Sequence, residues 1–245
     1  MTVVILGATK GIGRAVARAM AARGDRLFLL GRGADDVQRS ASDLDIRAGR
    51  SVVAGTAECD LARPETFVPA LDAAAAALGR VDTVVVTAAD FATQPALEAD
   101  LDRTQQLLTT NFGNTVTFCE HARQRLLAQG GTLCVVSSVA GDRGRKPVIL
   151  YGAAKAGLSH YLEGLDHKFR SAGLRVVCVR PGFVKTGMTA GLKPPPFAGE
   201  PEAVARDILR AIDRGQPVVY TPRIWRLIMF VIRSLPRSVM RRIEF

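Results

Sequence analysis

The chain has 245 residues, of which 48% are hydrophobic and 23% are charged, and its formal net charge is +10. This composition excludes a disordered or collagen-like chain, and the length suits one large α/β domain better than two small ones. No run of about 18 uncharged apolar residues is present, so we expect no membrane span. The short apolar run before Gly7 gives no secretory signal, so we expect a cytoplasmic protein.

Short apolar runs alternate with longer helical patterns along the whole chain. In chain order, strands are predicted over residues 3–6, 27–30, 52–53, 84–86, 133–136, 176–179 and 218–220, and the clearest helices over 14–23, 70–78 and 151–172. The longer runs do not alternate polar and apolar residues, which indicates strands that are covered on both faces. The pattern therefore predicts a doubly wound, three-layer α/β fold with a parallel sheet.

The turn between the first strand and the first helix is rich in glycine. It reads Gly7-Ala8-Thr9-Lys10-Gly11-Ile12-Gly13. Glycine lets the backbone turn tightly and approach a pyrophosphate, and the helix N-terminus offers unpaired N–H groups to that anion. The position of this turn predicts a dinucleotide-binding site.

The second predicted strand ends in Gly31-Arg32 and carries no acidic residue there. A carboxylate at this point would hold the adenosine ribose hydroxyls and repel a 2′-phosphate, whereas Arg32 and Lys10 can bind that phosphate. We therefore expect NADPH in preference to NADH; the alternative is that both cations are solvated surface residues. Asp60, after the third strand, is expected either to accept from the adenine amino group or to cap the next helix.

Tyr151 and Lys155 are four residues apart in a predicted helix and therefore share a face. A nearby ammonium favours phenolate, so we expect Lys155 to lower the pKa of Tyr151 from its ordinary value of about 10 toward neutrality. Ser138 follows the fifth strand, where its hydroxyl could donate to a substrate carbonyl while Tyr151 delivers a proton.

With these motifs in this order, the chain resembles the short-chain dehydrogenase/reductase family over roughly residues 2 to 220. The matching residues are Gly7, Gly11, Gly13, Asp60, Asn111, Ser138, Tyr151, Lys155, Pro181-Gly182 and Thr186. The resemblance implies a seven-stranded parallel sheet and a Tyr151–Lys155–Ser138–Asn111 catalytic set. Within this set it implies that Lys155 holds the nicotinamide ribose and that Asn111 positions a water behind Lys155; a purely structural, helix-bending Asn111 is the alternative.

The resemblance also implies the residues that contact the cofactor. They are Gly7, Thr9, Lys10, Gly11, Ile12, Gly13, Arg32, Asp60, Leu61, Ala88, Ala89, Tyr151, Lys155, Pro181, Gly182, Val184 and Thr186. One departure stands out, because the family usually has Asn-Asn-Ala-Gly where this chain has Thr87-Ala88-Ala89-Asp90. We expect cofactor binding to survive and some cross-strand hydrogen bonds to be lost, and the sequence gives Asp90 no function.

The four cysteines form no C-x-x-C pair and no His-rich cluster, so we expect neither a metal site nor a disulfide framework. Cys59, Cys119, Cys134 and Cys178 are expected to be small buried hydrophobes. Residues 185–200, with three consecutive prolines, are expected to form a lid or binding loop; the alternative is a disordered excursion. They belong to the predicted catalytic domain, residues 1–222.

Residues 223–245 form a predicted basic amphipathic tail. Arg223, Arg226, Arg233 and Arg237 fall on one helical stripe among apolar residues, and Pro236 would kink or end the helix. This pattern predicts contact with an anionic membrane surface, at its inner face for a cytoplasmic protein, or with a lipid substrate; packing on a partner subunit or on the core are the alternatives. Nucleic acid is less expected, because the arginines lie among aliphatic residues and lack an interleaved set of stacking aromatics.

The loop after Ser138 contains Arg143, Arg145 and Lys146, which could hold an anionic group of the substrate or form a solvated turn. This loop, the 180–182 turn and the tail resemble the branch of the family that reduces decaprenylphosphoryl-2-keto-pentose. We therefore expect an NADPH-dependent reductase of a ketone, such as a lipid-linked or phosphorylated keto-sugar. A general ketone or 3-oxoacyl reductase and a non-catalytic NADP-binding sensor are the alternatives. The family resemblance also implies a homodimer or homotetramer.

Overall fold

Seven parallel strands form one sheet in the computed structural model, which describes residues 1–243. They are β1 (Thr2–Leu6), β2 (Arg26–Gly31), β3 (Val53–Glu58), β4 (Thr83–Val86), β5 (Gly131–Val136), β6 (Leu174–Pro181) and β7 (Val218–Thr221). Their order in the sheet is β3-β2-β1-β4-β5-β6-β7, and every neighbouring pair is parallel. The predicted doubly wound α/β fold is confirmed.

Ten α-helices cover and connect the strands within the described residues. They are α1 (Gly11–Arg23), α2 (Ala34–Ala48), α3 (Phe67–Leu78), α4 (Gln94–Ala99), α5 (Leu101–Leu108), α6 (Thr115–Leu127), α7 (Ile149–Phe169), α8 (Pro201–Arg214), α9 (Ile224–Ser234) and α10 (Arg237–Met240). One core lies between the sheet and α3, α6 and α7, and the other lies between the sheet and α1, α2 and α8. The molecule therefore has the three predicted layers.

The third strand differs from its predicted position. Residues 52–53 were expected, whereas β3 runs to Glu58 through Ala54, Gly55, Thr56 and Ala57. The strand lies at the edge of the sheet with β2 as its only neighbour, and most of it is half-buried. Small and polar residues are sufficient in such a position, so no apolar run marks the strand in the sequence.

The loops that follow four central strands meet at one edge of the sheet. The chain order reverses between β1 and β4, and in open parallel sheets the crevice at such a switch point is where ligands bind. The loop after β1 carries the glycine turn, and the loop after β4 carries Thr87 to Asp90. The loops after β5 and β6 carry Ser138 and Gly182.

The tail is divided into two helices. Helix α9 ends at Ser234, and Pro236 precedes the short α10, which begins at Arg237. The prediction that four arginines share one helical stripe is therefore wrong for Arg237, because Pro236 separates it from the others. Glu244 and Phe245, the last two residues of the predicted tail, lie outside the described residues.

All four cysteines are buried, as predicted, and their thiols are free. Burial raises the pKa of each of these thiols, so they are poor nucleophiles and act as packing residues. Among residues 1–243, no helix is long and apolar enough to cross a membrane.

Candidate active site

The glycine turn after β1 is shaped by close contact with its neighbours. Gly7 has a positive φ of 96°, which costs glycine little. A Cβ at Gly13 would lie 2.1 Å from the Gly7 carbonyl oxygen and 2.3 Å from Thr87 Oγ1, so only glycine fits there. The first turn of α1 has no side-chain cap and no acidic residue, which leaves its N–H groups available to a pyrophosphate. These residues fit a dinucleotide.

Lys10 and Arg32, the predicted 2′-phosphate ligands, are both exposed to solvent. Arg32 follows β2 and lies near the Asp90 carboxylate. The pKa of Asp90 is lowered mainly by Arg103 and, least of its causes, by the charge of Arg32. Asp60 accepts a 2.9 Å bond from the Ala62 N–H through Oδ1, so it forms a local turn. A contact of Asp60 with adenine stays a prediction.

The loop after β4 lacks the asparagines that are usual in the family, but Thr87 and Ala88 form hydrogen bonds to the end of β1. Thr87 Oγ1 lies 3.1 Å from the Leu6 carbonyl oxygen and 3.2 Å from that of Gly7, and Ala88 N also donates to Leu6. The expected loss of cross-strand hydrogen bonds is therefore corrected in part, because the Thr87 hydroxyl reaches the end of β1. Ala88 and Ala89 are half-buried in this loop.

Three predicted catalytic side chains meet between β5 and α7. Ser138 lies close enough to Tyr151 for its side chain to lower the pKa of the phenol, and Lys155 Nζ lies 5.8 Å from the centroid of the Tyr151 ring. A Cβ at Gly141 would lie 2.6 Å from the carbonyl carbon of Lys155. This glycine therefore lets the turn that carries Ser138 pack directly on the α7 backbone.

The pKa of Tyr151 differs from the sequence prediction. Burial raises the pKa of the phenol to about 12, and the interaction with Ser138 opposes this only in part. Burial also lowers the pKa of Lys155 to about 8, and its ammonium donates a 3.0 Å bond to the Val136 carbonyl. Burial therefore determines the direction of the shift, and the pKa of Tyr151 is raised where the sequence predicts a lowering.

Asn111 lies in a π-helical segment, Thr109–Asn114, between α5 and α6. Its side chain is buried and bonds Asp90 through both polar atoms, because Oδ1 accepts from Asp90 N at 2.7 Å and Nδ2 donates to the Asp90 carbonyl at 2.7 Å. The side chain therefore ties the β4 loop to the helix. The implied role of Asn111 in placing a water behind Lys155 stays a prediction.

The segment predicted as a lid is closed at its base. Val184 and Gly199 form a β-bridge, and Lys185 pairs with Glu200. A Cβ at Gly11 would lie 3.3 Å from the Thr186 side chain, so the start of the segment covers the glycine turn. A cavity of about 510 Å³ opens between α1 and this segment. The lid role itself stays a prediction.

Helix α9 packs against the catalytic loop. Trp225, Met229 and Ile232 form a small core with Val139, which follows Ser138 directly. A Cβ at Gly182 would lie 2.1 Å from Trp225 Nε1, so the indole lies on the loop after β6. This contact favours the core-packing alternative for one face of the tail, and periodicity alone could not identify what that face covers.

Arg143, a predicted ligand for an anionic group of the substrate, also has a partner within the protein. Its Nη2 donates a 3.0 Å bond to the carbonyl of Leu235, just after α9. The preceding residue, Asp142, is paired with Arg180 at 3.0 Å and accepts from Tyr220 at 2.8 Å. These bonds join the loop after β5 to β6, β7 and the tail.

Several other residues shape the site without a sequence motif. Ser137 lies 3.0 Å from the Lys155 carbonyl and 2.7 Å from the Ser159 hydroxyl. Thr9 and Ile12 lie half-buried in the glycine turn, as do Gly182 after β6 and Thr186 beyond it, whereas Leu61, Pro181 and Val184 are buried. In the sequence, only the position of Ser137 next to Ser138 indicates that it belongs to the site. Phe91 and Gln94, which contact Tyr151 and Leu150, carry no such signal. Arg103, which pairs with Asp90, carries none either.

Comparison with known proteins gives one consistent family. The family model described as short chain dehydrogenase matches residues 1–196. An uncharacterized oxidoreductase of Mycobacterium tuberculosis is 34% identical over 241 residues, covering 98% of this chain and 96% of its own length. Carbonyl reductase family member 4 of Danio rerio is 31% identical and covers 84% of this chain and 88% of its own.

Solved structures agree on the fold. The structure of a short-chain type dehydrogenase/reductase from Mycobacterium ulcerans superposes with a TM-score of 0.81 at 22% identity. The match covers 99% of this chain and 98% of that one. The likeness therefore spans both the dinucleotide-binding half and the region that contains α9.

Proposed function

This chain belongs to the short-chain dehydrogenase/reductase family, and from that premise we propose that it is an NADPH-dependent carbonyl reductase with Tyr151 as its proton donor. As a member it is an NAD(P)H-dependent oxidoreductase acting on CH–OH and C=O groups. The observation that carries the proposal is the meeting of the half-buried Ser138 and Tyr151 with the buried Lys155 between β5 and α7.

Each residue of this set has a distinct task. When bound, the nicotinamide supplies a hydride to the carbonyl carbon. Ser138 donates a hydrogen bond to the carbonyl oxygen, and the Tyr151 phenol transfers its proton to the same oxygen as the alcohol forms. Because burial raises the pKa of Tyr151 to about 12, the phenol is protonated at neutral pH and carries the proton that the reduction needs.

The preference for NADPH is supported by charge at the adenosine end. Lys10 and Arg32 are exposed cations beside the turn, and no carboxylate follows β2 directly. An arginine fork binds phosphate oxygens, and a neighbouring lysine adds a point charge. Gly7, Gly13 and the first turn of α1 would hold the pyrophosphate.

The proposal is tested with Tyr151→Phe in the full chain. We expect turnover with NADPH to fall by about 100-fold or more, because the proton donor is lost, while the Kd for NADPH stays within about 2-fold. Tyr161→Phe is the matched control, because this tyrosine is on the same helix and bonds Glu120 away from the site. Wild-type turnover in Tyr151→Phe would contradict the mechanism.

The substrate we propose is a lipid-linked or phosphorylated keto-sugar. The basic loop after Ser138 contacts the tail twice, because Val139 packs on the buried face of α9 and Arg143 bonds the Leu235 carbonyl. NADPH oxidation by the wild type should be measured with such a keto-sugar, a simple ketone and a 3-oxoacyl thioester. Turnover of only the last two would favour a general ketone or 3-oxoacyl reductase. NADPH binding without turnover of any would favour a sensor.

A second proposal concerns the outer face of α9, which we infer docks on an anionic lipid surface. Opposite its buried face, Leu227 is 61% exposed and Phe230 is 70% exposed, and Val231 is exposed beside them. Arg226 and Arg233, seven residues apart, lie on one flank of this apolar surface. Exposed apolar side chains beside arginines match the chemistry of an anionic bilayer interface.

Liposome sedimentation tests this docking. We expect the wild type to bind vesicles containing phosphatidylglycerol and not vesicles of pure phosphatidylcholine. Leu227→Ser/Phe230→Ser should abolish binding, whereas the control Ile46→Ser/Leu101→Ser should not, because Ile46 and Leu101 are even more exposed but lie outside the tail. Absence of binding, or a dimer in solution that the Leu227→Ser/Phe230→Ser variant dissociates, would contradict the lipid and assign the face to a second copy.

A further inference from the structure

Asp90 stands where the family usually has glycine, and its carboxylate is held by a residue on another helix. Arg103, on α5, donates through Nη2 to Asp90 Oδ1 at 2.7 Å and through Nη1 to Oδ2. The Phe91 N–H donates to the same Oδ1 at 2.8 Å. This is a two-pronged arginine–carboxylate pair, the geometry that fixes orientation most firmly.

The backbone of Asp90 is fixed as well. As described above, the Asn111 amide bonds both its N–H and its carbonyl at 2.7 Å. The side chain and the main chain of one loop residue are therefore both bound to the helical segment from Leu101 to Asn114. A loop held in this way has little freedom to shift relative to α5.

The same loop contacts the proposed proton donor on two sides. The Phe91 ring packs edge-on against the Tyr151 ring, with centroids 5.3 Å apart and an interplanar angle of 81°. Three residues further on, Gln94 Oε1 accepts a 3.1 Å bond from the N–H of Leu150, which immediately precedes Tyr151. The loop therefore contacts both the ring of Tyr151 and the start of the helix that carries it.

We propose that Asp90 and Arg103 are a positioning pair that orients Tyr151 through Phe91 and Gln94. Neither residue touches the reacting atoms; the pair acts by holding the loop on which the Tyr151 ring rests. The proposal rests on the proposed function, since it assumes that Tyr151 is the proton donor. It assigns a function to the departure from glycine at Asp90.

The ion pair is suited to a separate test because its contribution to stability should be small. Both side chains are 30% exposed, and partly exposed pairs contribute about 1 kcal/mol or less to folding. Arg103→Met keeps most of the side-chain length and removes the charge. It should therefore loosen the loop without unfolding the chain.

The experiment compares Arg103→Met with wild type in the full chain. We expect kcat to fall about 5- to 20-fold, because small errors in the placement of a reacting group are costly, while the Kd and KM for NADPH change less than about 2-fold. Arg103→Lys, which keeps the charge but not the fork, should recover part of the loss. Asp90→Gly should lower kcat like Arg103→Met and provides a second variant if the first is unstable.

Arg125→Met is the matched control, because Arg125 pairs with Asp72 on α3, outside the site. It should leave kcat unchanged. In a Tyr151→Phe background, Arg103→Met should have no further effect on the residual rate, because there is no proton donor left to position.

The outcomes separate this proposal from the function on which it rests. If Tyr151→Phe abolishes turnover but Arg103→Met and Asp90→Gly leave kcat unchanged, the positioning pair is wrong and the proposed function stands. Equal losses of kcat, NADPH affinity and melting temperature would also overturn it, since they would indicate a merely structural pair. If Tyr151→Phe retains turnover, the proposed function itself fails.

Discussion

Lys155 and Lys10 are both proposed cofactor ligands, but Lys155 is buried and Lys10 is exposed to solvent. Lys155 is 2% exposed, and its ammonium is bonded to the Val136 carbonyl. Lys10 and Arg32 are both exposed. Lys10 is the N-cap residue of α1, and its side chain makes no capping hydrogen bond. The chemical end of the groove is thus buried and interlocked, whereas the phosphate end is open to solvent.

This difference in burial indicates that catalysis depends on packing, whereas cofactor preference depends on exposed charges. Burial shifts the pKa of both Tyr151 and Lys155, so the catalytic end depends on the packing around it and tolerates little change. Exposed cations interact with an anion through solvent and lose little when replaced, so the phosphate end can change its preference without cost to the fold. Three substitutions, in order of decreasing effect, test this contrast.

Lys155→Met should have the largest effect and should separate function from stability. We expect turnover to fall by about 100-fold or more, because the residue proposed to hold the nicotinamide ribose is lost. Stability should rise by about 1 to 3 kcal/mol at pH 7, because a buried ammonium with a lowered pKa opposes folding. The measurements are NADPH oxidation and urea unfolding.

The pH dependence of that gain follows from the pKa of Lys155. Burial lowers it from the ordinary 10.5 to about 8, so the folded chain disfavours the charged form. The gain in stability should be complete below pH 8, where Lys155 is protonated in both the folded and the unfolded chain. It should disappear as the pH rises from 8, where the folded chain loses the proton, to 10.5, where the unfolded chain loses it as well. A gain independent of pH, or a loss of stability at pH 7, would contradict the burial of a disfavoured charge.

Arg32→Asp should reverse the cofactor preference. We expect the ratio of kcat/KM for NADPH to that for NADH to fall by about 10- to 100-fold, because a cation is replaced by an anion beside the 2′-phosphate. Arg50→Asp is the matched control, since it makes the same charge change at an exposed site before β3. An unchanged ratio in Arg32→Asp would contradict the phosphate role.

Thr87→Val should have the smallest effect. The variant removes the hydroxyl that reaches the ends of β1, which should cost about 1 kcal/mol in urea unfolding and weaken NADPH binding slightly. Thr87→Asn restores the residue usual in the family and should bind NADPH at least as well as Val. Full stability in Thr87→Val would show that the Thr87 hydroxyl does not replace the missing asparagine bonds.

The sequence predicts those parts of the molecule whose signal is local. The glycine turn, the apolar strands and the Tyr151–Lys155 spacing each depend on residues within one element, and their order along the chain indicates the family. The edge strand β3 was predicted too short, because a strand with one neighbour needs no apolar run. The helix boundary at Pro236 was recognised, but its effect on Arg237 was not.

Contacts between distant residues could not be predicted in the same way. Asp90 lies thirteen residues before Arg103, and nothing in either segment indicates the pair. The direction of the Tyr151 pKa shift depends on the burial of the phenol, which arises only when β5 and α7 pack together. The face that α9 buries is likewise determined by Val139 and Gly182, more than forty residues earlier.

Trp225 has a practical consequence, because it is the only tryptophan in the chain. Its indole is buried, lies on Gly182 and donates a 3.3 Å bond to the carbonyl of Phe197 in the segment that follows β6. Fluorescence excited at the red edge therefore comes from one fluorophore, situated between the cofactor loop and the proline-rich segment. A movement of either segment would change the surroundings of this indole, so its emission reports on the position of both segments.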